Sequence, residues 1–123
     1  MKRGAWVLLL GASAAMAQSV WDFDAWMKRV DRGSQALQRQ IAARDAAAAT
    51  ATARELEEVY QRMEQYFTVR GDADDAVRWA REAREFASRA QVDLAANRFK
   101  AARTSALGIA HGCHDCHYYY KPL

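Results

Sequence analysis

FDAWMKRVDRGSQALQRQI, residues 23–41, carries the clearest structural signal in the chain. Its large apolar residues recur at steps of three and four, which is the spacing of one face of an α-helix. These residues are Phe23, Trp26, Met27, Val30, Leu37 and Ile41. Gly33 and Ser34 add a patch of small residues. The segment is therefore predicted to be an amphipathic helix with its apolar face against a core.

A second helix is predicted further along the chain. Thr52 and Glu55 have the spacing of a capping box, which predicts that this helix opens at Thr52. Residues 56–67 supply its apolar face. Gly71 is suited to the left-handed backbone conformation that follows a helix end, so the helix is expected to stop just before it.

A third and a fourth helix follow. Asp72 or Asp74 is the expected N-cap of the third helix, whose apolar positions within residues 76–90 are mostly alanine. Asp93 is the expected N-cap of the fourth, which runs through residues 94–110 towards the C-terminus. Four amphipathic helices with short connections pack most simply as an antiparallel four-helix bundle, and the alanines predict a thin interior.

The composition supports an all-α domain. The chain has 123 residues, 51% of them hydrophobic, with one proline and six glycines, which argues against a turn-rich β fold. No apolar run approaches the roughly 18 residues of a membrane span, so none is expected in the mature protein.

The N-terminus has the three parts of a secretory signal peptide. Lys2 and Arg3 are positively charged, residues 5–14 are mostly apolar, and residues 15–17 read Ala-Met-Ala, an A-x-A cleavage signal. Residues 1–17 are therefore predicted to be removed on export to the periplasm, which leaves residues 18–123 as the domain. Loss of the two basic residues lowers the formal net charge from +3 to +1, so charge gives no support to nucleic-acid binding.

Cys113 to His117 read Cys-His-Asp-Cys-His, the C-x-x-C-H sequence of c-type haem attachment. The two thiols are expected to form thioethers with the haem vinyl groups, and His117 is expected to be the proximal iron ligand. On a helix, Cys113, Cys116 and His117 share one face, so three bonds can converge on one cofactor.

Three other interpretations of the two cysteines were weighed. A disulfide is the default for an exported protein, but the motif favours haem. A thioredoxin-like site needs a preceding strand, and no strand pattern occurs. A zinc site lacks a second ligand pair, since His111 is the only further candidate besides the motif's own histidines. His111 and His114 are expected to be solvated neighbours of the haem site.

The chain resembles the cytochrome c′ and cytochrome c-556 group, which carries this motif at the extreme C-terminus after an alanine-rich helix. The matching residues are Cys113, Cys116, His117, Tyr120 and Lys121. The resemblance implies a four-helix bundle with one covalent haem on the last helix, redox partner proteins, and a homodimer through the first two helices. No general acid, base or nucleophile constellation occurs elsewhere in the sequence, so no enzymatic activity is expected. Tyr118 to Tyr120 are expected either to pack at the helix end or to form an exposed aromatic surface for a transient partner.

In this group the function depends on whether a second residue binds the haem iron on the side away from the proximal histidine. In low-spin members of the group a methionine of the first helix is the sixth iron ligand and the protein carries single electrons; five-coordinate members bind NO or CO. Met27 stands at the corresponding position, although Phe23 replaces the group's frequent arginine. It is either the distal ligand or a core methionine, and Met63 is most simply core. A haem peroxidase is disfavoured because the first helix contains no histidine.

Overall fold

The computed structural model describes residues 20–119, and within them it contains four α-helices and no strand. They are α1 (Val20–Ala42), α2 (Ala46–Arg70), α3 (Asp74–Ala95) and α4 (Phe99–Tyr119). The predicted signal peptide, Tyr120 and Lys121 lie outside the described residues, as does the side chain of His117. No helix in the described range is long and apolar enough to cross a membrane.

The helices pack in a closed ring. Connections of three residues join them, and each helix contacts two others, with α1 and α4 closing the ring. Neighbours run in opposite directions: the Phe23 ring near the start of α1 meets the Phe67 ring near the end of α2, with centroids 5.3 Å apart. The arrangement is consistent with the predicted antiparallel four-helix bundle.

Small residues set the spacing between helices. The apolar face of α3 is buried and is mostly alanine, as predicted: Ala76, Ala80, Ala83, Ala87, Ala90 and Leu94. A Cβ atom on Gly33 of α1 would lie 2.8 Å from Leu56 of α2, and one on Gly108 would lie 2.7 Å from the Phe86 ring. A larger residue at either position would therefore force the Leu56 or Phe86 side chain to move.

Two helix starts differ from the prediction. The capping box at Thr52 is wrong, because α2 begins at Ala46 and the Asp45 carboxylate accepts a hydrogen bond from the Ala48 N–H at 3.1 Å. Alanine has the highest helix propensity, so the alanine run extends the helix by six residues. The N-cap of α3 is Ala73, without a side-chain hydrogen bond, and neither Asp72 nor Asp74 takes that position.

The boundary between α3 and α4 also differs. Asp93 does not cap the fourth helix, because α3 continues to Ala95 and α4 begins at Phe99. The Asp93 carboxylate instead accepts a hydrogen bond from Arg98 at 3.0 Å across the connection. The end of α2 is as predicted: Gly71 follows it with a φ of 78°.

Glu64 ties α2 to α3, and we expect its loss to change the acid stability of the bundle. Burial alone would raise the pKa of Glu64, but hydrogen bonds from Arg81 and Arg84 hold it below its usual value of 4.5. The ion pairs therefore stabilise the fold above that pH and lose their effect as the pH falls below it. Glu64→Gln should lower the free energy of unfolding by about 1 kcal/mol at neutral pH and by much less in acid.

Urea unfolding at neutral and acidic pH measures this difference. Glu82→Gln is the matched control, because Glu82 forms only an exposed pair with Arg78 at 3.8 Å and should have little effect at either pH. An equal loss of stability in Glu64→Gln at both pH values would contradict the role of the carboxylate charge.

Candidate functional site

The two cysteines lie near the C-terminal end of α4 and face the interior. Cys116 is 6% exposed, and Cys113 is partly buried and packs against the core. Both are free thiols. The intervening residues His114 and Asp115 are exposed, and so is His111. The predicted sharing of one inward helix face by the cysteines is therefore confirmed, as is the solvated position of His111 and His114.

Two adjoining spaces border Cys113. The outer one is an open groove of about 520 Å³ between α1 and α4, which we call the cysteine groove. The inner one is an apolar cavity of about 20 Å³ that side chains of all four helices line. Met27, Val30 and Cys113 contribute to both. The groove is in the size range of small-molecule and cofactor sites, whereas the inner cavity has room for about one water molecule.

The cysteine groove is apolar where it meets the core and polar at its mouth. Met27 and Val30 are buried in α1, and Ala110 faces them from α4. Asp24, Lys28, Asp31 and His114 also line the groove. Lys28 pairs with Asp24 at 2.9 Å, and Asp31 accepts a hydrogen bond from Gln35. Apolar walls beside a thiol are what the flat face of a haem ring requires, so the wall residues fit a haem. The rim adds no net positive charge for its carboxylate arms, because Asp24 and Asp31 stand against Lys28 alone, which Asp24 already pairs.

Met27 lies beside Cys113, a position that both interpretations of this residue, distal ligand and core methionine, allow. It is 8% exposed and contributes to the same cavity wall as Cys113, so the start of α1 is level with the cysteine end of α4. Met63 of α2 is buried in the core, as predicted, and it also lines the inner cavity. Both methionine side chains therefore border the space beside the thiols.

Tyr60 is a site residue that sequence reasoning missed. Its side chain is buried in the interior, and its hydroxyl oxygen lies 2.8 Å from the Cys113 Sγ, within hydrogen-bonding distance. The sequence places Tyr60 only in an apolar helix stripe. A buried tyrosine hydroxyl needs a hydrogen-bond partner, and this requirement is the signal that could have assigned Tyr60 to a polar site. In the structure Cys113 is that partner.

Burial controls the protonation of these groups. It raises the pKa of Cys116 to about 11, with a further contribution from the neighbouring Cys113. Burial also raises the pKa of Cys113, which the hydrogen bond from Tyr60 partly offsets, and it raises that of Tyr60 well above 10.0. Both cysteines are therefore neutral thiols at physiological pH.

The C-terminal aromatic residues are described only in part. Tyr118 is 70% exposed, whereas Tyr120 and the side chain of Tyr119 lie outside the described residues. Four aromatic residues of the sequence stripes form a packed cluster at the start of α1 and the end of α2: Phe23, Trp26, Tyr66 and Phe67. The cluster agrees with the prediction that these stripes are core.

No protein-family model, curated protein or solved structure matches the chain. Among the side chains of residues 20–119 that are described, no group of three or more His, Cys, Asp or Glu is placed to hold a metal ion. The chemistry of the site therefore rests on its own residues, and the relation to the cytochrome c′ and c-556 group stays a prediction.

Proposed function

We propose that the chain is an exported c-type cytochrome that carries single electrons. Cys113 and Cys116 would hold one haem through thioethers, and His117 would be the proximal iron ligand. One observation supports this most directly: both cysteines of a C-x-x-C-H sequence line the apolar inner cavity and Cys113 also lines the cysteine groove, while His114 and Asp115 between them face solvent.

The protonation of the thiols argues against a thiol-disulfide catalyst. Reactive C-x-x-C sites have lowered thiol pKa values, because the thiolate is the nucleophile. Here burial raises the pKa of Cys116 to about 11 and also raises that of Cys113. Such thiols lack the lowered pKa of a thiol-disulfide catalyst.

The chain's own residues would bind and shield the cofactor. Met27 and Val30 supply an apolar wall that excludes water, and the thioether of Met27 is available as the distal ligand. When bound, haem supplies reversible one-electron chemistry, and a His/Met ligand pair raises its reduction potential. The proposed role is that of an electron carrier that is not an enzyme, with redox proteins as partners.

A gas-binding haem protein is the second candidate. The cysteine groove is open to solvent, and the buried position of Met27 is equally that of a core methionine. If Met27 does not bind iron, a five-coordinate haem would accept NO or CO. The periplasmic location and the homodimer through the first two helices remain proposals that depend on residues 1–17 and on the family resemblance.

The mass and spectrum of the exported protein test the proposal. We expect the mass of residues 18–123 plus one haem, unchanged by thiol reductants and by acid acetone extraction. A pyridine haemochrome spectrum should show one haem with both vinyl groups saturated. A protein that folds normally without haem, or that contains a disulfide or bound zinc instead, would contradict the proposal.

A further inference from the structure

A second groove between α1 and α4 lies at the opposite end of the bundle from the cysteines. It has a volume of about 610 Å³, which is within the range of small-molecule sites. Arg39 and Arg44 line it on the α1 side, and Lys100 and Arg103 on the α4 side. We call it the basic groove. At 1.5 Å of rise per residue, Arg103 is about 15 Å from Cys113 along α4, so the two sites are separate.

The positive charge of the basic groove is not neutralised by the protein. Elsewhere many cations have partners, such as Arg29 with Glu55 at 2.7 Å and Arg98 with Asp93 at 3.0 Å. In the described part of the chain, none of the four cations of the basic groove forms an ion pair. A cleft lined by charges of one sign concentrates its field and attracts ions of the opposite sign.

Apolar residues form the floor of the basic groove. Ile41 and Ala106 are buried beneath it, and Leu107 is 40% exposed. The Arg44 guanidinium lies over the Phe99 ring, 4.5 Å from its centroid, which fixes one cation at the edge. The positive N-terminal end of α4, at Phe99, adds to the attraction for an anion. An occupant would therefore have both an apolar body and negative charges.

We propose that the basic groove binds a small molecule that carries several carboxylate or phosphate groups on an apolar body. The planar guanidinium groups of Arg39, Arg44 and Arg103 can each form two hydrogen bonds to a carboxylate or phosphate. Lys100 adds a further positive charge beside Arg103. The inference is independent of the haem proposal, because none of these side chains lines the cysteine groove or the inner cavity.

Isothermal titration of the purified protein with trimesate and citrate tests the inference. Both are tricarboxylates with the same charge at mildly alkaline pH, but only trimesate has a flat apolar ring. We expect one trimesate to bind per chain, several-fold more tightly than citrate. Lys100→Ala with Arg103→Ala should weaken trimesate binding by about tenfold or more.

The matched control is Arg54→Ala with Arg62→Ala, which removes the same charge from exposed positions of α2 and should leave binding unchanged. Circular dichroism should show the same helix content in both variants. The inference is overturned if trimesate binding does not saturate, if citrate binds equally well, or if the control weakens binding as much. A different outcome also overturns the inference: the protein does not bind trimesate and forms a dimer that dissociates in the variant Lys100→Ala with Arg103→Ala. The occupant of the basic groove is then a second copy of the chain.

Discussion

Replacing both Cys113 and Cys116 with alanine is expected to abolish covalent haem completely. Both side chains face the interior, and no other cysteine in the chain can take their place. A cofactor bound only by the native state also stabilises that state. The double variant should therefore be colourless after acid acetone extraction, loosely packed and more sensitive to protease than the wild type.

His111→Ala is the matched control for the cysteine variant. His111 lies two residues before Cys113 but is exposed, so its loss should leave the haem content unchanged. Absorbance and the mass of the intact protein measure the haem content, and limited proteolysis measures the packing. A double cysteine variant that is as stable as the wild type would show that the bundle does not depend on haem.

Met27→Leu is expected to convert a low-spin haem to a high-spin haem if Met27 is the distal ligand. Leucine preserves most of the side-chain volume and removes the thioether, at a packing cost below about 1.5 kcal/mol. The variant should gain affinity for CO and have a lower reduction potential, because the sulfur ligand that favours ferrous iron is gone. Optical spectra and a redox titration measure these changes.

Met63→Leu is the control for this experiment, since Met63 is also buried and lines the same inner cavity from α2. It should leave the spin state and potential unchanged. If Met63→Leu alone produces the high-spin spectrum, the distal ligand is Met63 and the assignment of Met27 is wrong. If the wild type is already high-spin and Met27→Leu has no effect, the electron-carrier function with a methionine ligand fails and gas binding replaces it.

The helices could be predicted from the sequence because apolar residues at helical spacing mark the face of each helix that is buried. The stripe from Phe23 to Ile41 in α1 is buried as predicted, and Gly71 ends α2 as predicted. The helix starts could not be predicted reliably, because several polar residues near each connection compete as caps. Asp45 takes this role for α2, whereas Asp93 forms an ion pair instead.

The site was predictable where it depends on spacing within one helix or on the antiparallel order of two helices. The spacing of Cys113 and Cys116 on α4 fixes their common face, and the antiparallel order of α1 and α4 places Met27 beside them. The contact of Tyr60 with Cys113 depends on how deeply α2 and α4 interdigitate, and residue spacing on a single helix does not contain that information. The same is true of the basic groove, which side chains from the end of α1, the connection after it and the start of α4 form together.

The small volume of the inner cavity constrains the order in which the helices pack and the cysteines react. In the closed bundle Cys116 is 6% exposed, and the cavity in front of it has a volume of about 20 Å³. A bulky reagent cannot reach that sulfur while the four helices are packed. If the proposed thioethers form, the helices around Cys116 have to be apart when the haem reaches that sulfur.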